Sequence, residues 1–244
     1  MKCALAALGF VNEDLLHNRQ VILDALSAYS KKADIVIFGE AFLQGFYGVT
    51  FDAAHDAQIA ISQDDPMIGA ICSAAKEASI AVSFGFIEKA EEDFYSSQIT
   101  IDADGRVIDL FRRVSPGWKE PGADHQYCEG DGFHIFHFKG KNIAAGLCGD
   151  LWFDENVHEV KRLKPDVVFW PVYTDFNANE WNHTTKYDYA SQANRFCSTV
   201  LYVNSYCMDK TGDEFAKGGA ALFQGGRISA EIPSGKEGVL LVEI

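Results

Sequence analysis

Asn142-Ile-Ala-Ala-Gly-Leu-Cys-Gly-Asp-Leu-Trp-Phe153 decides how this chain is read. Its first half is an apolar run, the pattern of a buried strand, and its second half is a tight Cys148-Gly149-Asp150 turn. A thiol at a strand end is held by a rigid element yet faces open space, and Gly149 lets a substrate carbonyl approach the backbone closely. The other five cysteines, at 3, 72, 128, 197 and 207, lack that setting. Taken alone the position is ordinary, because free cysteine is among the most buried residue types. A thiol with a pKa of about 8.5 acts as a nucleophile only with a base and an oxyanion partner assembled from other strand ends.

Working outward, the chain opens strand, helix, strand. Cys3 to Phe10 is apolar and reads as a first strand rather than a signal peptide, since acidic residues follow at once. Asn12 is a helix cap candidate, with Leu15, Ile22, Leu26 and Tyr29 on one face, and Ala33 to Phe38 is a β-branched run. Asp65-Pro66 starts a helix to about Ala78, followed by a strand at Ile80 to Ile87. Ser97 to Asp102 and Val107 to Arg112 flank an Ala-Asp-Gly hairpin signal, and Phe133 to Phe138 with Asn142 to Leu147 form a second hairpin. Glu155 to Leu163 and Thr185 to Cys197 read as helices. Asp166 to Val172, Val200 to Ser205, Gly219 to Phe223 and Val239 to Ile244 read as strands. The expectation is an α/β fold, one domain over residues 1–244, built as a four-layer α-β-β-α sandwich of two mixed sheets packed face to face with helices outside.

Composition narrows the function. The chain has 48% hydrophobic residues and 21 Lys plus Arg against 35 Asp plus Glu, a net charge of −14. That balance disfavours nucleic-acid backbones and anionic membrane surfaces, leaving a small molecule or another copy of the chain as partner. No apolar run approaches the ~20 residues that span a bilayer. The dispersed cysteines form no Cys-x-x-Cys pair and read as reduced thiols of a cytoplasmic protein. His134 and His137 point to opposite faces of a strand, which argues against a metal pair, and no cofactor motif is present: Gly218-Gly219 and Gly225-Gly226 read as hairpin turns.

A second chemical candidate is Glu40, which follows Ala33-Asp-Ile-Val-Ile-Phe-Gly39 where a buried strand ends, a place that suits a carboxylate to proton transfer. Beside it lies the Gly-rich turn Gln44-Gly-Phe-Tyr-Gly48. The longest irregular stretches, Val114 to Cys128 and Tyr173 to Thr184, adjoin strand ends and read as binding loops carrying Trp118, Tyr173 and Trp181.

These pieces resemble the nitrilase, or carbon-nitrogen hydrolase, superfamily over essentially the whole chain. Ile35-Val-Ile-Phe-Gly-Glu40 looks like the family's catalytic-Glu segment and Gly146-Leu-Cys-Gly-Asp-Leu-Trp-Phe153 like its nucleophile elbow. Val200-Leu-Tyr-Val-Asn204, Phe215-Ala-Lys-Gly-Gly-Ala220 and a closing hairpin ending in Gly238-Val-Leu-Leu-Val-Glu-Ile244 agree in order and spacing. The resemblance implies a Glu-Lys-Cys triad that cleaves linear amides, N-carbamoyl amines or nitriles, and homodimers or larger assemblies. One position departs. Where the family has its Lys, this chain reads Phe111-Arg-Arg113, and a guanidinium donates hydrogen bonds to an oxyanion but does not hand over a proton.

The resemblance therefore assigns catalysis to Glu40, Arg113, Glu120 and Cys148, and substrate contacts to Tyr47, Lys119, Gly149, Trp152 and Tyr173. Lys119 is the alternative cation, and Asp124 competes with Glu120 as the loop carboxylate that orients the cation. The expected activity is a hydrolase acting on a small amide-like substrate through a Cys148 thioester with Glu40 as base. Arg113 also keeps open a catalytically impaired binding or regulatory protein, and acyl transfer would use the same residues.

Overall fold

Strand patterns explain the layers. In the computed structural model, which describes residues 1–210, 212 and 214–244, the strands are β1 Lys2–Ala7, β2 Gly9–Phe10, β3 Ile35–Phe38, β4 Ala81–Ala90, β5 Asp93–Ile101, β6 Val107–Arg112 and β7 Phe136–Phe138. They continue with β8 Lys141–Ala145, β9 Val167–Val172, β10 Thr199–Asn204, β11 Tyr206–Cys207, β12 Ala220–Gln224, β13 Arg227–Ile232 and β14 Gly238–Glu243. Two six-stranded sheets result, ordered β14-β1-β3-β4-β5-β6 and β13-β12-β10-β9-β8-β7, with β2 and β11 as a two-stranded bridge. Both large sheets are mixed: β1, β3 and β4 run parallel in one and β8, β9 and β10 in the other, while the outer pairs are antiparallel.

The central strands are apolar on both faces because both faces are covered. In β3, Ile35 and Ile37 face the space between the sheets, where Leu5, Phe169 and Leu201 also pack. Val36 and Phe38 face outward against α1 Leu15–Tyr29, where Ile22 and Leu26 pack, and against Ile68 and Ile71. In β9, Val167 and Phe169 point inward and Val168, Trp170 and Val172 outward. The remaining helices are α2 Ala53–Asp56, α3 Pro66–Ala78, α4 Asp154–Leu163, α5 Ala178–Glu180 and α6 Lys186–Ala193. α1 and α3 cover the first sheet, and α4 and α6 cover the second, giving the four-layer order expected. Among the described residues no helix is long and apolar enough to cross a membrane.

Several local expectations change. The first strand breaks at Leu8, so that Gly9–Phe10 leaves the large sheet to pair with β11. Asp14, not Asn12, caps α1 by accepting from the His17 N–H, while the Asn12 amide donates to Asp209. The stretch after Tyr173 is not structureless: Asn177 caps α5, and a π-helical turn at Trp181–Thr185 runs straight into α6. The closing hairpin is two separate pairings, since β13 pairs with β12 across the Gly225-Gly226 turn, while β14 pairs antiparallel with β1 in the other sheet.

Candidate active site

Four strand ends converge. β3 leads into Gly39 and Glu40, β6 into Arg113, β8 through Gly146 and Leu147 into Cys148, and β9 into Tyr173. The first two strands belong to one sheet and the last two to the other. The Glu40 N–H donates to the Val172 carbonyl at 3.2 Å, which ties the two sheets together at this point. Gly85 on β4 makes the turn possible, because a Cβ there would lie 2.3 Å from the Ala41 nitrogen and 2.7 Å from the Glu40 Cα.

Glu40 is buried, and its oxygens have different partners. Oε1 accepts from the Ser96 hydroxyl at 2.9 Å and from Arg113 Nη1 at 2.8 Å, whereas Oε2 accepts the Tyr173 N–H at 3.3 Å. The other half of that residue's backbone reaches the thiol: Cys148 Sγ donates to the Tyr173 carbonyl at 3.2 Å. Tyr173 therefore links carboxylate and sulfur through its main chain. Asn204 fixes the next residue, accepting the Thr174 N–H at 3.3 Å and donating to the Thr174 carbonyl at 2.8 Å.

Cys148 sits at φ +43°, a left-handed conformation that costs a non-glycine residue on the order of 1–3 kcal/mol and tends to persist at functional sites. Trp170 Nε1 donates to its carbonyl at 2.9 Å, which helps to hold the turn. Burial, then the Glu40 charge, pushes the thiol up to about 12, against a smaller lowering by Arg113. The resting sulfur is thus a protonated thiol.

Arg113 is buried in the position of the expected lysine. Burial works to lower its pKa, but nearby carboxylates, Glu40 above all and then Asp150, act to hold the guanidinium above the ordinary arginine range. Its Nε donates to Ser115 Oγ at 3.1 Å, and Nη2 lies against Gly149, where a Cβ would come within 2.9 Å of it. The cation and the N–H next to the nucleophile thus share one corner.

Asp150 joins these loops from behind. Its Oδ1 accepts the Val114 and Ser115 N–H groups at 3.2 and 2.8 Å, and its Oδ2 accepts the Leu147 N–H at 3.0 Å. Burial raises this carboxyl to about 6, against the lowering by Arg113 and the backbone donors. A matching knot ties the outer loops: Asp56 accepts from Thr50, Phe51 and His55, and from the Tyr127 hydroxyl at 2.7 Å.

The other expected residues divide. Tyr173 and Tyr47 belong to one aromatic wall, their rings 5.7 Å apart, with Phe46 stacked on Tyr173 at 4.8 Å. Trp152 is half-exposed and packs edge-on to Tyr189 at 5.0 Å. Lys119 does not join the cluster: its ammonium bonds the Tyr127 carbonyl and Glu129, both at 2.7 Å, so it serves the base of its own loop. Glu120 is exposed and its carboxylate meets no cation, and Asp124 bonds exposed His125. The carboxylates that do lie near Arg113 are Glu40 and Asp150. Reach along a loop does not decide which way its side chains turn. Sequence reasoning missed Ser96, Ser115 and Asp150. Only Asp150 had a local signal, an acidic residue two beyond Cys148 in a turn, where Asp commonly bonds backbone N–H groups. Among the described residues no three His, Cys, Asp or Glu side chains come together to hold a metal, and His134 instead meets Asp109 at 2.7 Å.

Chemically, the cluster offers a thiol, a carboxylate linked to it through one residue's backbone, and a fixed cation. The chain is similar to several known amidases. An (R)-stereoselective amidase of Pseudomonas sp. is 26% identical over 233 residues, covering 95% of this chain and 80% of that protein. An N-carbamoylputrescine amidase of Solanum tuberosum is 29% identical over 69% of this chain and 57% of its own length. Among solved structures, an amidase from Nesterenkonia sp. superposes with a TM-score of 0.81 at 20% identity, over 100% of this chain and 90% of that one. A variant of the Nesterenkonia sp. AN1 amidase bearing acrylamide on its active-site cysteine gives 0.80 at 19% identity, over 100% and 93%. The carbon-nitrogen hydrolase family model matches residues 2–244, and the chain belongs to that family of enzymes.

Proposed function

We propose that this protein hydrolyses the carbon–nitrogen bond of a small amide-like substrate, a linear amide first among amides, N-carbamoyl amines and nitriles, through a thioester on Cys148. The observation that carries the reading is the double use of Tyr173, whose N–H meets Glu40 Oε2 and whose carbonyl meets the Cys148 thiol. A carboxylate and a thiol are thereby held in register by the backbone of a single residue. The amidases to which the chain is similar support it, including the variant whose cysteine carries an acrylamide adduct.

In this scheme the neutral thiol loses its proton as it attacks, because its raised pKa leaves little free thiolate beforehand. Sulfur bonds to the carbonyl carbon while Glu40 takes the proton. The oxyanion is held by the Gly149 N–H and by Arg113 Nη2, both fixed in place before the reaction. Glu40 then passes its proton to the nitrogen, the carbon–nitrogen bond breaks, and the amine leaves a thioester. Water attacks the thioester while Glu40 again takes a proton, and the sulfur leaves and is reprotonated. Arg113 stabilises charge throughout and carries no proton, so Glu40 alone moves protons.

Ammonia release from a panel of linear amides, N-carbamoyl amines and nitriles tests this. Turnover should vanish in Cys148→Ala, and added hydroxylamine should intercept the thioester as a hydroxamate in the native enzyme. Full turnover by Cys148→Ala would sink the scheme. The same proposal includes a cytoplasmic location and a homodimer or larger homo-oligomer, to be read by fractionation and light scattering.

A further inference from the structure

The two oxygens of Glu40 are not equivalent. Among the described residues Oε1 takes two donors, Ser96 at 2.9 Å and Arg113 Nη1 at 2.8 Å, and Oε2 takes only the Tyr173 N–H, at 3.3 Å. Ser96 is buried on β5 and its carbonyl accepts the Arg113 N–H at 2.9 Å. One strand residue thus anchors both the carboxylate and the cation that pairs with it.

We propose that Ser96 is the positioning residue that reserves Glu40 Oε2 for proton transfer, by helping to saturate Oε1. Two strong donors on one oxygen pull charge to it and fix the plane of the carboxylate, leaving the other oxygen aimed past the Tyr173 N–H toward the sulfur side. A lysine here could rotate its ammonium about one bond. Arg113, held by Ser115, Glu40 and the Gly149 contact, cannot rearrange in that way. Orientation of the base therefore falls to Ser96, whose hydroxyl donates to Glu40 and whose carbonyl accepts from Arg113. This rests on the reading of Glu40 as the proton carrier.

The groups facing Glu40 are Arg113 from the end of β6, Ser96 from β5, the Tyr173 backbone from β9 and the neutral Cys148 thiol, whose pKa the Glu40 charge raises, with Asp150 behind Arg113. Of these only Ser96 can be altered without changing a charge or the reacting sulfur. Removing its hydroxyl takes one of the two donors from Oε1 and frees the carboxylate plane to turn. kcat should fall about 10-fold with KM changed less than about 3-fold, since the loss is in orientation of the base rather than in substrate contacts.

The experiment compares Ser96→Ala with Ser97→Ala on the full protein. Ser97 is the next residue on the same strand, equally buried, and its hydroxyl donates to Glu88 at 2.7 Å, outside the site. Both variants lose one buried hydrogen bond to a carboxylate, but only Ser96→Ala should lower kcat with KM little changed. Thermal melts establish that each is folded. An unchanged kcat in folded Ser96→Ala, or an equal fall in kcat in both variants, would overturn the inference. Glu40→Gln separates this from the underlying reading: if it abolishes turnover while Ser96→Ala changes nothing, Glu40 remains the proton carrier and only the role of Ser96 is lost.

Discussion

Replacing Glu40 by Gln should slow turnover and yet make Cys148 easier to alkylate. With its thiol pushed up to about 12, Cys148 is about one part in ten thousand thiolate at pH 8, against roughly a tenth for a thiol at the ordinary value of 9.0. Burial is the main cause and the Glu40 charge the second. Glu40→Gln removes that charge and leaves Arg113 without its carboxylate, and both changes favour thiolate. A nearby charge is worth about 1–3 pK units, so the thiolate fraction should rise about 10- to 1,000-fold. Thiolate nucleophilicity falls as pKa falls, with a Brønsted slope near ~0.4–0.5, so the net gain in alkylation rate is about 4- to 40-fold. Over the same substitution amide turnover should drop by about 10²–10⁴, the range a general base supplies. The assay is uncharged iodoacetamide at pH 7 to 10, with peptide mapping to separate Cys148 from the other five cysteines, set beside ammonia release. If alkylation and turnover fall together, Glu40 generates a standing thiolate and coupled proton transfer during attack is wrong.

Three further outcomes follow from the same geometry. Arg113→Met should cost about 3–5 kcal/mol in urea unfolding, because it leaves the buried Glu40 carboxylate without its cation, and should lose turnover; Arg113→Lys should keep measurable activity, and turnover by a folded Arg113→Met would remove the cation from the mechanism. Asp150, raised to about 6 from an unfolded value of about 3.9, binds more protons folded than unfolded; its contribution is fully present below about pH 4 and is lost as pH rises through 6, by about 3 kcal/mol. The stability of the native chain relative to Asp150→Asn should therefore fall over that window, and a flat difference would contradict the assignment. Tyr127→Phe, which leaves Asp56 short of one donor, should destabilise by about 1–3 kcal/mol and speed proteolysis of the 46–60 loop, with unchanged cleavage speaking against the knot.

What the sequence disclosed was whatever is written locally. Ile35 to Phe38 and Val167 to Val172 read as strands because both of their faces are buried, one under helices and one under the opposite sheet, which leaves no polar alternation. Glu40 and Cys148 stood out as polar groups where such runs stop. Lys119 and Glu120 lie apart from the cluster, because position along a loop says nothing of orientation, and Lys119 bonds the Tyr127 carbonyl and Glu129. Ser96 carried no mark at all: its partner lies 56 residues away, and only the pairing of β5 with β4 and β6 brings it to Glu40. The start of the helix after Tyr173 was hidden because a π turn shifts the apolar spacing at Trp181.

The pairing of β1 with β14 has a consequence for how the chain reaches its native state. Cys3 lies opposite Val242 and Leu5 opposite Leu240, so β1 receives one of its neighbours only after synthesis has passed β14. Until then an apolar strand, paired on its β3 side alone, offers an open edge to other nascent chains. Closing that edge requires contacts between strands far apart in sequence, which makes this step slow relative to the local hairpins β4–β5 and β12–β13. A substitution that weakens β14 therefore acts first on yield during synthesis, well before it alters the chemistry at Cys148.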